Sequence, residues 1–69
     1  MLASDKLRQF LEDNGITQRD FGDEIGRSQA YISFLVNGER MPSMKIANAI
    51  AVRTNNRVPV SDWLSNRGE

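Results

Sequence analysis

The sequence predicts an all-α fold, a compact bundle of five short helices that form one domain over residues 1–69. Three observations lead to this prediction. Apolar residues recur three and four positions apart along most of the chain, which is the spacing of an amphipathic helix. Serine or threonine precedes each of the first four periodic segments, where these residues commonly cap helices. A chain of 69 residues also buries only a small core, which favours compact helical packing.

The first helix is expected to begin at Ser4, whose side chain can cap it. Leu7, Phe10 and Leu11 follow at helical spacing and would face the core. Gly15 is expected to end this helix, because glycine readily adopts the left-handed conformation at a helix C-terminus.

Two short helices joined by a tight turn are predicted next, over residues 17–25 and 28–36, with the turn at Gly26. Thr17 and Ser28 would cap them. Ile32 and Leu35 would face inward in the later helix, which leaves a short and mostly uncharged outward side. A helix-turn-helix, which inserts its second helix into the DNA major groove, displays a face of this kind. The outward residues are Gln29, Ala30, Ser33 and Phe34.

The fourth helix is expected over residues 44–53, with Ser43 as its cap. Residues 54–56 would break it, and a short last helix would contain Trp63 and Leu64. A short strand over residues 57–60 that pairs with a partner chain is the alternative, so the sequence leaves residues 55–69 open between helix and strand. The inward stripe of the fourth helix comprises Ile46, Ala47, Ile50 and Ala51.

The segment over residues 17–38 resembles the helix-turn-helix of the lambda-repressor-like and Cro-like family of small phage and bacterial regulators. With the flanking helices the resemblance covers about residues 4–65 and implies a lambda-repressor-like DNA-binding fold. Arg27 departs from the pattern, because the family usually has an apolar residue at this turn position. The matching residues are Thr17-Gln18, Phe21-Gly22, Ile25-Gly26, Ser28-Gln29, Ile32, Leu35, Asn37-Gly38 and Arg40-Met41-Pro42-Ser43.

Composition argues against several other classes of protein. The chain has no histidine, no cysteine and no glycine-rich phosphate loop, so we expect no enzyme, no metal, no cofactor and no small-molecule ligand. No signal peptide is visible, and no apolar run reaches the roughly 20 residues that span a membrane. The expected location is the cytoplasm of a bacterial or phage-infected cell, in association with the nucleoid.

The chain carries nine basic and nine acidic residues and therefore has no net charge. DNA-binding domains are commonly basic, because neutralisation of phosphates supplies much of their affinity. The distribution of charge matters more than its sum, and we expect modest non-specific affinity. The basic residues in or beside the helix-turn-helix are Arg19, Arg27, Arg40 and Lys45, and the acidic ones are Asp20, Asp23, Glu24 and Glu39.

Four residues at the start and on the outward side of the third helix are predicted to contact bases. Gln29 is the strongest candidate, because glutamine can make a bidentate contact with adenine N6 and N7. Ala30 offers its methyl group to thymine, Ser33 can donate to a base or a phosphate, and Ser28 completes the set. The resemblance implies that Gln18 braces Gln29. The alternative for each residue is an ordinary solvated or packed helix surface.

Contacts with the DNA backbone are predicted around the same helix. Gln18, at a helix N-terminus, can hold a phosphate with its side chain and backbone N–H. For the arginines the alternative is a solvated or ion-paired charge, and for Tyr31 and Phe34 a packing role is favoured. The predicted backbone-contacting residues are Thr17, Gln18, Arg19, Arg27, Tyr31, Asn37 and Arg40.

The resemblance implies a sequence-specific transcriptional regulator whose partner is double-stranded DNA. Because nothing follows the DNA-binding domain in this chain, we expect a Cro-type repressor that binds a palindromic operator as a weak homodimer. Val58, Val60 and Trp63 are the expected dimer contact, and packing between the first and fourth helices is the alternative for Trp63. The alternative functions are a DNA-binding antitoxin of a toxin–antitoxin pair and a protein-interaction module on the same fold.

Overall fold

The computed structural model describes residues 2–65, which form five helices and no strand. This confirms the predicted all-α class and the order of the helices. Residues 57–60 form turns and irregular backbone, so the alternative of a strand there is not found. Residues 66–69 of the segment that the sequence left open lie outside the described residues. The helices are α1 (Ala3–Asn14), α2 (Gln18–Ile25), α3 (Gln29–Val36), α4 (Met44–Arg53) and α5 (Asp62–Ser65).

Three of the predicted helix caps are confirmed. In each case a side-chain hydroxyl oxygen accepts a hydrogen bond from the backbone N–H three residues further along the chain, which satisfies one of the free donors of the first helical turn. The predicted left-handed glycine after α1 is also confirmed, since Gly15 has φ +63°. The caps are Thr17 on α2 (3.0 Å), Ser28 on α3 (3.1 Å) and Ser43 on α4 (3.3 Å).

The predicted cap of α1 is wrong. The helix begins one residue earlier, at Ala3, and its N-cap position is Leu2, which makes no side-chain capping bond. Ser4 lies inside the helix and is buried, three and seven positions before Leu7 and Leu11 on the same inward side. The helix therefore extends because its first turn packs against the rest of the fold, and this packing outweighs the local preference of serine for a cap.

The core collects apolar side chains from all five helices. Phe10 of α1 and Phe21 of α2 meet edge to face, with ring centroids 6.4 Å apart. The predicted inward stripe of α4 is confirmed, because all four of its residues are buried. Trp63 is only 3% exposed and belongs to the same cluster, so core packing is the outcome for this residue.

Thr54 closes α4 and joins it to the C-terminal segment, a role that the sequence did not reveal. Its side chain is fully buried, and its Oγ1 donates to the carbonyl oxygen of Ile50 at 2.8 Å. The same oxygen accepts from the backbone N–H of Val58 at 3.2 Å. Asn55 and Asn56 follow with positive φ values of 53° and 65°, which confirms the predicted break after α4.

Candidate nucleic-acid interface

Two glycines set the geometry of the turn between α2 and α3. Gly26 ends α2 with φ +75°, a conformation that residues with a side chain rarely adopt. Gly22, one turn earlier, is buried where the chain enters α3. A Cβ at Gly22 would lie 2.5 Å from the carbonyl oxygen of Arg27 and 3.3 Å from Cγ1 of Ile32. The absence of a side chain at Gly22 therefore allows α3 to pack closely against α2.

The third helix has a buried side and an outward side, as predicted. Ile32, Leu35 and Val36 are buried. The four predicted base-contacting residues lie together at the start and on the outward side of α3. Ser28, Gln29 and Ala30 are exposed, and Ser33 is half-buried. The Ser28 hydroxyl oxygen also caps the helix, so this residue has a structural role at the same place.

The outward side of α3 divides into a polar half and an aromatic half. With about 100° between successive residues, Gln29 and Ser33 lie on one side of Ala30, whereas Tyr31 and Phe34 lie on the other. Tyr31 and Phe34 are both half-buried, and Tyr31 packs against the core. The packing role that the sequence favoured is therefore present for Tyr31, while Phe34 lies beside Ala30 on the surface of the helix.

An arginine side chain lies over each aromatic ring of this half. The guanidinium carbon of Arg27 lies 5.6 Å from the centroid of the Tyr31 ring. The guanidinium carbon of Arg40 lies 4.8 Å from the centroid of the Phe34 ring. Both distances are within the range of a cation–π interaction. The structure thus places two of the predicted backbone-contacting arginines directly against α3.

A long-range hydrogen-bond group closes the C-terminus of α3. The guanidinium of Arg8 donates to the carbonyl oxygen of Val36 at 2.8 Å and to Oδ1 of Asn37 at 3.2 Å. Nδ2 of Asn37 in turn donates to the hydroxyl oxygen of Ser33 at 3.4 Å. Arg8 stabilises the helix end, where a positive charge is favourable. The sequence did not identify Arg8, because no local signal links α1 to a residue nearly thirty positions away.

The ion pairs lie away from the predicted arginines. Within residues 2–65, neither the predicted phosphate-contacting arginines, Arg19, Arg27 and Arg40, nor Lys45 forms an ion pair. The alternative of ion-paired arginines is therefore not found there, and Glu24, close to Arg27 in sequence, pairs with another residue. The three ion pairs are Lys6 with Asp62, Arg53 with Glu24 and Arg57 with Asp13.

The side-chain hydrogen bonds of Arg57 and Gln9, together with the charge of Arg57, keep the pKa of Asp13 below its ordinary value of 3.8. Asp13 therefore stays ionised beside Arg57 at neutral pH, and its charge offsets the charge of that arginine. The other two acidic partners also bond directly to their basic residues. In the helix-turn-helix region, the basic residues that form no ion pair within residues 2–65 are thus Arg19, Arg27, Arg40 and Lys45, and the acidic ones are Asp20, Asp23 and Glu39.

The two predicted glutamines are close to α2 and α3 but do not pair. Gln18 is the first residue of α2 and is half-buried, whereas Gln29 is the first residue of α3 and is exposed. No hydrogen bond joins their side chains in the described structure, so the bracing that the resemblance implies is not formed here. Thr17 is exposed and uses its hydroxyl oxygen to cap α2. Its backbone and that of Gln18 nevertheless stand at a helix N-terminus, where the dipole favours an anion.

The expected dimer contact needs correction in its details. Val58 is fully buried and Trp63 is 3% exposed, so neither side chain is available to a second chain without unfolding. Only Val60 of the three is partly exposed. It lines a shallow groove beside Val52, whose side chain is 78% exposed. The exposed apolar surface of this part of the molecule is therefore formed by Val52 and Val60, whereas Val58 and Trp63 lie beneath it in the core.

Among residues 2–65, no three side chains of His, Cys, Asp or Glu stand close enough together to hold a metal ion. None of the helices in this part of the chain is long and apolar enough to cross a membrane.

A comparison with protein families supports the interpretation of this geometry. The sequence profile of the helix-turn-helix family matches residues 7–58, which include most of α1, the whole α2–α3 unit and α4. The chain belongs to this family of lambda-repressor-like and Cro-like helix-turn-helix proteins, which places it in the class of DNA-binding regulators. Comparisons with curated proteins and with solved structures gave no match.

Proposed function

We propose that this protein is a sequence-specific repressor of the Cro type, which binds a palindromic operator as a homodimer through α3. One observation carries the proposal. In the described structure the ion pairs neutralise Lys6, Arg53 and Arg57, and leave the arginines around α3 without carboxylate partners. A chain with no net charge can therefore still present arginines without carboxylate partners to the phosphates.

The proposed complex places α3 in the major groove. Gln29 would make the bidentate contact with adenine, Ala30 would meet a thymine methyl group, and Ser28 and Ser33 would donate to base or phosphate oxygens. These are the residues of the polar half of α3 and of its first turn. The backbone contacts would come from Thr17 and Gln18 at the start of α2 and from Arg19, Arg27, Asn37 and Arg40.

Selection of bound sites from a random DNA pool, followed by gel shifts at low and moderate salt, tests this function. The proposal expects an enriched palindrome whose half-sites lie about one helical turn apart. A promoter that contains this palindrome should be repressed when the protein is present in a reporter strain. A protein that binds no duplex even at low salt would contradict the proposal and support a protein-interaction module instead.

A dimer is part of the proposal, because one α3 helix contacts only a few base pairs. Two copies on a palindrome add the base contacts of both half-sites and double the phosphate contacts. The proposed contact keeps Val60 and adds Val52, its exposed neighbour in the shallow groove. We expect a small interface and weak self-association that tightens on DNA, since stable specific interfaces usually bury more than about 1,000 Å².

The variant Val52→Lys tests the dimer without disturbing the core. Val52 is exposed and lies in the last turn of α4, where a lysine suits the helix dipole and should not lower stability. Sedimentation of the variant with operator DNA should then show weaker two-to-one assembly. Leu2→Lys, at an apolar residue outside the groove, is the control and should assemble as the unmodified protein does. A strict one-to-one complex of the unmodified protein with a palindrome would refute the dimer itself.

A further inference from the structure

We propose that Tyr31 and Phe34 are positioning residues, whose rings hold the guanidinium groups of Arg27 and Arg40 against α3 for binding to DNA phosphates. The inference rests on the proposed function. It adds an explanation of how the long side chains of Arg27 and Arg40 are both held on the outward side of α3. The distances are 5.6 Å for Arg27 over Tyr31 and 4.8 Å for Arg40 over Phe34.

The geometry brings the two arginines to the same side of the helix. Arg27 precedes α3 and Arg40 follows it, so the residues are far apart in sequence. Their aromatic partners, however, are three positions apart and therefore neighbours on the helix surface. Both lie on the aromatic half of the outward side, whereas Gln29 lies on the polar half. Two phosphate-binding groups would thus stand beside the residues proposed to contact bases.

The chemistry of a stacked guanidinium suits a phosphate. An arginine that lies over a ring keeps the N–H groups at its edge, where they can donate bidentately to phosphate oxygens. Holding the side chain against the ring also reduces the conformational entropy that binding would otherwise remove. Neither Arg27 nor Arg40 forms an ion pair within residues 2–65, so no carboxylate competes with the phosphate.

Two other arginines also lie over an aromatic ring, but they are ion-paired and so differ from Arg27 and Arg40. Arg53 and Arg57 also lie over an aromatic ring, that of Phe10, at 5.8 and 5.4 Å. Each of them is bonded to a carboxylate, Arg53 to Glu24 and Arg57 to Asp13. The combination of a ring from α3 with a guanidinium that lacks a carboxylate partner distinguishes Arg27 and Arg40 from this second pair.

A double-mutant cycle at Phe34 and Arg40 provides the main test. Affinity for a random-sequence duplex is measured at one low salt concentration for the unmodified protein, Phe34→Leu, Arg40→Ala and the double variant. Phe34→Leu should weaken binding about two- to fivefold, the usual range for an exposed cation–π pair. In the Arg40→Ala background the same change should have almost no effect, because the cation that the ring positions is already gone.

The corresponding test at Tyr31 separates the ring from the hydroxyl group. Tyr31→Phe keeps the ring and should bind as the unmodified protein does, whereas Tyr31→Leu should lose affinity only when Arg27 is present. Equal losses from Tyr31→Leu with and without Arg27 would overturn the positioning role of this ring.

Two controls keep the test interpretable. Thermal unfolding of each variant identifies any loss that comes from a less stable domain, and Phe34→Trp, which retains an aromatic face, should restore the affinity lost in Phe34→Leu. Equal losses from Phe34→Leu with and without Arg40 would overturn the inference, while DNA binding by the unmodified protein would leave the proposed function intact. An unmodified protein that binds no DNA would overturn both.

Discussion

The α2–α3 region and the α1–α4–α5 region of this domain contain similar residues but use them differently. In both regions arginines lie over aromatic rings. In the α1–α4–α5 region, Arg53, Arg57 and Lys6 are also bonded to carboxylates, one of which comes from α2. The arginines around α3, by contrast, have no ion-pair partner within residues 2–65. The net charge of zero therefore does not reveal that the cations of the two regions differ in their ion pairing.

The two regions also differ in what fixes their geometry. The α1–α4–α5 region depends on buried side chains, such as Trp63 and the hydroxyl group of Thr54. The α2–α3 region is shorter, and its turn depends on the close backbone approach at Gly22. We therefore expect the α2–α3 region to be more sensitive to a single added methyl group.

Replacing Gly22 with alanine should have the largest effect on stability. The new Cβ would lie 2.5 Å from the carbonyl oxygen of Arg27, which is backbone and cannot move away cheaply. We expect a loss of about 3 kcal/mol in the free energy of unfolding, at the upper end of ordinary overpacking. Urea unfolding followed by circular dichroism measures this loss directly.

Gly26→Ala is the matched control for that substitution, because it adds the same methyl group four residues later. No atom lies within 4 Å of a Cβ at Gly26, so only the positive φ value opposes the change. The expected loss is about 1 kcal/mol. If the two variants lost equal stability, the close approach at Gly22 would not be the feature that holds α2 against α3.

Gln29→Ala should affect DNA binding alone. The side chain is exposed on the first turn of α3 and makes no contact with the core, so the stability of the domain should hardly change. Binding to the selected operator should weaken by about 1–3 kcal/mol, the usual contribution of a bidentate base contact. Binding to random DNA, measured by the same gel shift, should be nearly unchanged. Equal losses on both DNAs would show that Gln29 does not recognise sequence.

The features of the fold that can be predicted from the sequence are those that depend on residues close together in the chain. The caps at Thr17, Ser28 and Ser43 were predictable, because each hydroxyl bonds only three residues away. Ser4 was wrongly assigned, since burial of the first turn of α1 outweighed the same local rule. The bond from Arg8 to the end of α3 could not be predicted, because it joins segments that only the tertiary fold brings together.

The candidate site was predictable in its polar part and less so in its charges. The spacing of Ile32 and Leu35 was enough to place Gln29, Ala30 and Ser33 on the outward side. Which arginines are ion-paired could not be read from the sequence, because the pairs join residues far apart in the chain. The burial of Trp63 likewise depends on where α5 packs. From the sequence alone, an apolar residue near a chain terminus is as consistent with a dimer interface as with the core.

Arg40→Ala and Arg57→Ala test whether an arginine without an ion pair and an ion-paired arginine contribute differently to DNA binding. Each variant removes one positive charge, so the net charge of the chain changes equally. Arg40→Ala should weaken binding to all sequences and reduce the slope of log affinity against log salt by about one unit. Arg57→Ala should leave the slope unchanged, because the charge of Arg57 is already offset by Asp13. Equal changes in slope would show that net charge, and not its distribution, controls binding.

The smallest expected effect concerns the ion pair between Asp13 and Arg57. Arg57 and Gln9 lower the pKa of Asp13 in the folded protein below the ordinary value of 3.8. A carboxyl group whose folded pKa is depressed contributes stability that is present above its unfolded pKa and is lost as the pH falls through the folded value. Between about pH 5 and about pH 2, the free energy of unfolding should therefore fall slightly less in Asp13→Asn than in the unmodified protein.

Asp23→Asn, which removes an exposed carboxylate that forms no ion pair within residues 2–65, is the control. If Asp23→Asn altered the pH profile as much as Asp13→Asn, the effect would come from overall charge, and this pair would contribute nothing of its own.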